Sequence, residues 1–217
     1  MRLLFAVLVS CACTLTGCLG ESFVDERDGH RYKTTTIDGQ VWMAQNLNYA
    51  TNDGSYCAYD KVDSCVKYGR RYTWEAALVA CPAGWHLPKK SEWFSLQSKL
   101  FRDGNGDASC LRAKEWGGSD KYGFKALPTY EMTRSYHAEM GLHLYTTAVS
   151  ARIPEPIKGP TSFNTTEFWA APSPELPGED NLGNQPSKAL LSSLENSSIL
   201  FTSGTDMDRP SIRCLRD

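Results

Sequence analysis

Eight cysteines are the residues with the widest chemical reach in this 217-residue chain: Cys11, Cys13, Cys18, Cys57, Cys65, Cys81, Cys110 and Cys214. That number is high for a compartment that keeps thiols reduced and points to an oxidising one. No Cys-x-x-Cys spacing occurs, so thioredoxin-like exchange has no support. Asp103-Gly104-Asn105-Gly106-Asp107 sets oxygen-bearing side chains at alternate positions, as a loop converging on calcium would. The EF-hand pattern then needs Gly at 108 and Glu at 114, where Ala108 and Lys114 stand, so a polar turn is the better reading. His137, Glu139 and His143 miss the i, i+4 spacing of a zinc-protease helix and read as surface or capping groups. His86, between Trp85 and Leu87, reads as a hydrogen-bonded core imidazole. No phosphate-binding glycine loop, serine nucleophile elbow or spaced carboxylate pair stands out. The sequence predicts no metal, no cofactor and no catalytic residue.

These groups need a scaffold, and the composition is that of one ordinary globular domain, with 41% hydrophobic and 22% charged residues. Six Trp, ten Tyr and eight Phe are too many for a disordered chain. The formal net charge is −2, from 23 basic and 25 acidic side chains, which leaves no broad basic surface for a phosphate backbone. Nucleic acid is therefore excluded as a partner.

Met1-Arg2 and the apolar run Leu3 to Val9 form a secretory h-region too short to span a bilayer. Its end, Leu15-Thr16-Gly17-Cys18, resembles the lipobox of bacterial lipoproteins, which implies removal of residues 1–17 and acylation of Cys18. An ordinary cleaved signal peptide, with Cys18 as a plain thiol, is the alternative. Acyl chains at about 0.8 kcal/mol per buried methylene would fix the protein to a membrane. Leu19, where inner-membrane lipoproteins commonly carry Asp, favours the outer membrane, on its periplasmic or surface face. Loss of Arg2 with the signal leaves 22 basic against 25 acidic groups, a net of −3. Residues 18–30 read as a lipidated cysteine and short polar tether, and 31–217 as the folded domain.

Within that domain, Tyr32–Ile37 and Gln40–Ala44 flank the type I′ turn signal Asp38-Gly39 and predict a hairpin. The Gly-, Asn- and Tyr-rich stretch from Asn46 to Tyr68 reads as a loop held by a local Cys57–Cys65 bridge. Thr73 offers an N-cap for a helix over Trp74–Cys81, stopped by Pro82 and Gly84. A second helix is predicted from Ser91 to Arg102, with Trp93, Leu96 and Leu100 on one stripe and Phe94 and Phe101 beside it. Beyond it, prolines at 154, 156, 160, 172, 174, 177 and 186 predict short strands and long loops. Trp42, Trp74, Trp85 and Trp169 read as core, Trp116 as exposed. Asn164 and Asn196 open glycosylation sequons that mean little in a bacterial lipoprotein.

Six blocks in order now carry a resemblance: Gly39 to Tyr49, Tyr68 to Trp74, Cys81 to Pro88 with Glu92-Trp93, Gly123 to Pro128, Phe168-Trp169, and Arg213 to Asp217. Together they resemble the Fibrobacter succinogenes major paralogous domain, whose members are secreted or lipid-anchored bacterial proteins of unassigned activity. The central block is also similar to the C-type-lectin-like fold. That likeness implies an α+β domain with two short helices, short antiparallel strands and long loops, stapled by disulfides. It implies that Cys81, ending the first helix, pairs with Cys214 in the last strand. Cys110 is then left over, expected as a buried inert thiol, with another pairing or a reactive thiol as alternatives. Gln185-Pro186-Ser187 lacks the third ligand of the lectin calcium triplet, so calcium-dependent sugar binding there is not expected. Two functions follow. One is a non-catalytic binding or surface-structural module with a polysaccharide or envelope protein as ligand. The other is a thiol- or metal-dependent enzyme related to formylglycine-generating oxidases, whose fold is related and for which only Cys110 is spare.

Overall fold

The computed structural model describes residues 21–58, 61–104, 107–128, 130–133, 162–176, 186–192, 198–205 and 208–217. Strand β1 spans Ser22–Val24, β2 Arg31–Ile37 and β3 Gln40–Met43. Along β2, Tyr32 and Thr34 point inward beside exposed Arg31 and Lys33, the period-two pattern of a strand buried on one face, and Ile37 is buried where the strand enters the turn. Asp38 and Gly39 both hold positive φ, 53° and 80°, as the type I′ turn between β2 and β3 requires. Residues 21–30 differ from the tether expected over 18–30. β1 pairs antiparallel with β2, Phe23 stacks on Trp85 at 4.3 Å between ring centroids, and Asp25 is buried. One apolar residue pair and one internal ion pair are enough to fold a segment whose composition reads as polar.

Strand β4 (Ser55–Tyr56) pairs with β5 (Arg71–Tyr72), and helix α1 (Val62–Tyr68) stands between them, inside the stretch predicted to be loop. Helix α2 runs Trp74–Ala80, its first turn capped by Thr73, whose Oγ1 accepts from the Ala76 N–H at 3.2 Å. Short β6 (Trp85–His86) follows, and then α3, Lys90–Arg102, which buries Trp93, Leu96 and Leu100 and leaves Phe94 and Phe101 largely outside. Two 3-10 turns, Ala108–Leu111 and Lys114–Trp116, lead to β7 (Tyr130–Thr133), β8 (Ser162–Ala170), β9 (Ser187–Ser192), β10 (Leu200–Ser203) and β11 (Leu215–Arg216).

The strands make a five-stranded sheet in the order β1-β2-β3-β11-β6, a four-stranded sheet β10-β9-β8-β7, and the β4-β5 pair, all antiparallel. The architecture is α+β and disulfide-stapled, with three α-helices among the described residues instead of two. Two apolar clusters form the core, and β8 joins them: Phe168 enters one and Trp169 the other. The Trp169 indole N–H donates to the Tyr72 carbonyl at 2.8 Å. Trp116, expected to be exposed, is 6% exposed and packs into the first cluster, because the turn Lys114–Trp116 folds it inward. Trp42, Trp74 and Trp169 are buried and Trp85 half-buried. No helix of the described residues is long and apolar enough to cross a membrane.

Candidate functional site

Of the cysteines singled out in the sequence, Cys57 is bonded to Cys65 and Cys81 to Cys214, while Cys18 lies outside the described residues. Cys110 is a free thiol, 1% exposed, whose Sγ lies 3.3 Å from the Asp107 carbonyl oxygen. Burial, reinforced by the negative charge of Asp107, pushes its pKa up to about 11. At neutral pH it is a protonated, inert group. The two described carboxylates of the 103–107 loop are both engaged. Asp103 accepts from Lys99 Nζ at 2.6 Å and from the Tyr122 hydroxyl, and Asp107 caps the following 3-10 turn through the Ser109 N–H at 2.7 Å. No group of three His, Cys, Asp or Glu side chains among the described residues could hold a metal ion. His137, Glu139, His143, Gln185 and Asn196 lie outside the described residues.

His86 corrects the expectation of a core imidazole. It sits on β6, the edge of the five-stranded sheet, with a side chain about one-third exposed. Its Nδ1 is 2.6 Å from Asp217 and its Nε2 is 3.0 Å from Glu92, so it clasps the C-terminus to the start of α3. The buried carboxylate Glu167 is also structural. Burial raises its pKa, and Lys188 Nζ, 3.4 Å away and also 3.1 Å from Asp208, holds it in an internal ion cluster.

A cleft of about 250 Å³ opens on the described surface, and its walls come from separate parts of the chain. Residues 43–47 run beside the C-terminal segment, with the Met43 N–H donating to the Cys214 carbonyl at 3.0 Å and the Leu47 N–H to Ile212 at 2.9 Å. That strand-like run supplies Ala44, Gln45 and Asn46 to one wall, and Asn48 follows just beyond it. Helix α1 supplies the opposite wall, and its C-terminal Gly69 approaches so closely that an added Cβ would stand 2.6 Å from Asn46 Cβ and 2.8 Å from the Leu47 carbonyl oxygen. With φ at +72°, that position admits glycine alone on both counts. Lys125 and Glu115 complete the mouth.

Beneath the cleft lies Arg213, 1% exposed. Its Nε donates to Asn46 Oδ1 at 2.8 Å, Nη1 to the Phe124 and Met43 carbonyls, and Nη2 to the Lys125 carbonyl at 3.0 Å. Its guanidinium also lies 4.4 Å from the Phe124 ring centroid and 5.5 Å from that of Phe168. Burial pulls its pKa down to about 9, opposed by the charge of Asp120. The arginine is thus solvated by neutral oxygens and ring faces, with no carboxylate among the described residues in hydrogen-bond contact, and it binds together the three segments that carry Asn46, Lys125 and Arg213 itself.

The family comparison matches residues 35–172 to the Fibrobacter succinogenes major domain. The chain belongs to that family. No curated protein and no solved structure matches it. In this Fibrobacter succinogenes major domain, four of the six blocks that carried the resemblance converge on the one cleft. Gln45, Asn46 and Asn48 come from the first, Tyr68 and Gly69 from the second, Lys125 and Leu127 from the fourth, and Arg213 from the last. Sequence reading assigned none of these residues a role. The blocks were visible, but no spacing along the chain shows that positions 46, 68, 125 and 213 meet in space.

Proposed function

We propose that this Fibrobacter succinogenes major domain is a non-catalytic binding module of C-type-lectin-like fold, fixed to the outer membrane by lipid on Cys18 and recognising a polysaccharide or an envelope protein. The C-type-lectin-like assignment is supported by the bridge from the end of α2 to the last strand, and by the place of that strand between β3 and β6. The observation that carries the function is the make-up of the cleft. It is a depression of mixed polar and apolar lining whose single carboxylate is Glu115, whose cysteine is locked in a bridge, and whose other polar side chains are the amides of Gln45, Asn46 and Asn48, the amines of Lys67 and Lys125, the Arg213 guanidinium, the Tyr68 phenol and one imidazole, His30. Such a set can hold a ligand and has no partnered nucleophile or carboxylate pair with which to cleave one. The enzyme reading needs a reactive thiol, and the free thiol at hand, Cys110, is enclosed and protonated.

The test uses the full-length lipidated protein in detergent, presented to a glycan array and used to pull down partners from cell envelopes. Saturable capture of a polysaccharide or envelope protein, unchanged in Cys110→Ser, is the expected outcome. Absence of any capture, or turnover of a substrate that Cys110→Ser abolishes, overturns the proposal.

A further inference from the structure

The charges around the cleft are unlike those of the molecule as a whole. The chain is net negative, yet the cleft gathers Lys67, Lys125 and Arg213 against one carboxylate, Glu115. Neither Lys67 nor Lys125 is in an ion pair with a described residue; Lys67 Nζ rests 4.9 Å from the Tyr68 ring centroid. A concave site with an excess of one sign of charge and low-dielectric walls draws in ligands of the opposite sign. The floor is held in place, because the buried Arg213 ties the 43–46 run to the 124–125 segment through four oxygen partners. That charge balance favours an anionic ligand.

Two further features narrow it. Asn48 Oδ1 is enclosed in the wall and has no hydrogen-bond donor among the described residues, an unfavourable arrangement until a donor arrives. A hydroxyl-bearing ligand supplies one when the amide turns toward it. Beside these polar groups stand Ala44, Val66 and Leu127, apolar contacts that the C–H face of a sugar ring can cover and a bare inorganic anion cannot. At about 250 Å³ the cleft falls below the roughly 300–1,000 Å³ of sites for drug-sized ligands, so it takes one ring or a chain end.

We infer that the cleft between α1, the 44–48 segment and Lys125 binds the carboxylate-bearing ring of an acidic polysaccharide, a hexuronate. Its carboxylate faces Lys67 and Lys125 and its hydroxyls meet Asn48 and Gln45. This rests on the binding-module reading above and names the ligand class for it.

The experiment is a calorimetric titration of the full-length protein in detergent with digalacturonate, with its neutral methyl ester, and with inorganic phosphate. Digalacturonate is expected to bind about tenfold more tightly than the ester, and more weakly as salt rises. Lys67→Ala and Lys125→Asn are each expected to weaken it about two- to fivefold, the latter keeping a residue tolerant of the positive φ at 125. Both variants should keep the wild-type melting temperature. Equal affinity for acid and ester, phosphate competing as well as digalacturonate, or full affinity in the double variant overturns the hexuronate assignment. Capture of a neutral polysaccharide or an envelope protein by that double variant would sink this inference alone. Failure to capture anything from arrays and envelopes would sink the binding-module reading beneath it.

Discussion

Arg213 is a charge placed where water cannot reach and no carboxylate of the described residues touches it. Its position is tolerable because four hydrogen bonds to oxygens replace hydration, and two ring faces supply the rest of its surroundings. The same geometry makes the residue hard to replace. In Arg213→Met the side chain keeps its length and apolar packing, but Asn46 Oδ1 and the carbonyls of Met43, Phe124 and Lys125 lose their donor. An expected loss of roughly 3–5 kcal/mol follows, read as a lower midpoint in urea unfolding. A loss under 1 kcal/mol would mean that these oxygens find other donors, and that the cleft floor is not built on Arg213. Arg213→Lys should recover only part of the loss, since one ammonium cannot reach all four acceptors in the fork geometry of a guanidinium.

At the scale of elements, the N-terminal hairpin β1–β2 is fastened by a single buried carboxylate. Asp25 Oδ1 accepts from the Arg27 N–H at 3.1 Å and from Nε at 2.9 Å, and Oδ2 from Nη2 at 2.7 Å, while Nη2 also reaches the Ala80 carbonyl at the end of α2. Burial acts to raise the Asp25 pKa, but the hydrogen bonds and charge of Arg27 outweigh it, so the net shift is downward. A carboxyl depressed in the folded state adds stability above its unfolded value of about 3.9, and loses it as the pH falls through the folded value. Asp25→Asn is expected to lose about 1–3 kcal/mol at pH 7, and the gap from wild type should close as the pH drops below 4, measured by chemical denaturation across that range. A constant gap down to pH 2 would assign the effect to packing instead. This hairpin was illegible in sequence because Glu21 to Arg31 is dominated by charge, and its folding depends on a contact with Ala80 more than fifty residues away. Helix α1 was illegible for a different reason. Val62 and Val66 point outward at 74% and 76% exposure, so the apolar stripe that marks a helix is reversed, and Lys61 makes no side-chain cap. Where local signals agreed with the packing, as at Thr73 before α2, at Asp38-Gly39, and along Trp93, Leu96 and Leu100, the element and its buried face could be read directly. The cleft could not, because its residues are far apart along the chain and meet only in the folded packing, two of them, Asn46 and Lys125, through Arg213.

For the whole molecule, the covalent links set both stability and reach. The Cys81–Cys214 bridge spans 133 residues of sequence and Cys57–Cys65 spans 8, so loop-closure entropy assigns them about 5 and about 2.5 kcal/mol. Replacing the first pair with alanines should therefore lower the unfolding free energy about twice as far as replacing the second, provided the reduced chain is measured in the same buffer. The third link is the proposed lipid on Cys18, and its consequence depends on β1 being folded. Only Leu19, Gly20 and Glu21 separate Cys18 from β1. Four residues of extended chain span at most about 14 Å, so an anchored domain stays against the bilayer and its ligand must come to the membrane surface. A 20-residue Gly/Ser insertion after Gly20 adds about 25 Å of root-mean-square reach. In vesicles carrying dansyl-labelled lipid, energy transfer from the tryptophans is expected to fall sharply in the inserted variant, while membrane binding stays intact. Cys18→Ala should lose both. Unchanged transfer with the long spacer would show that the domain holds the membrane through its own surface and not through the shortness of its stem.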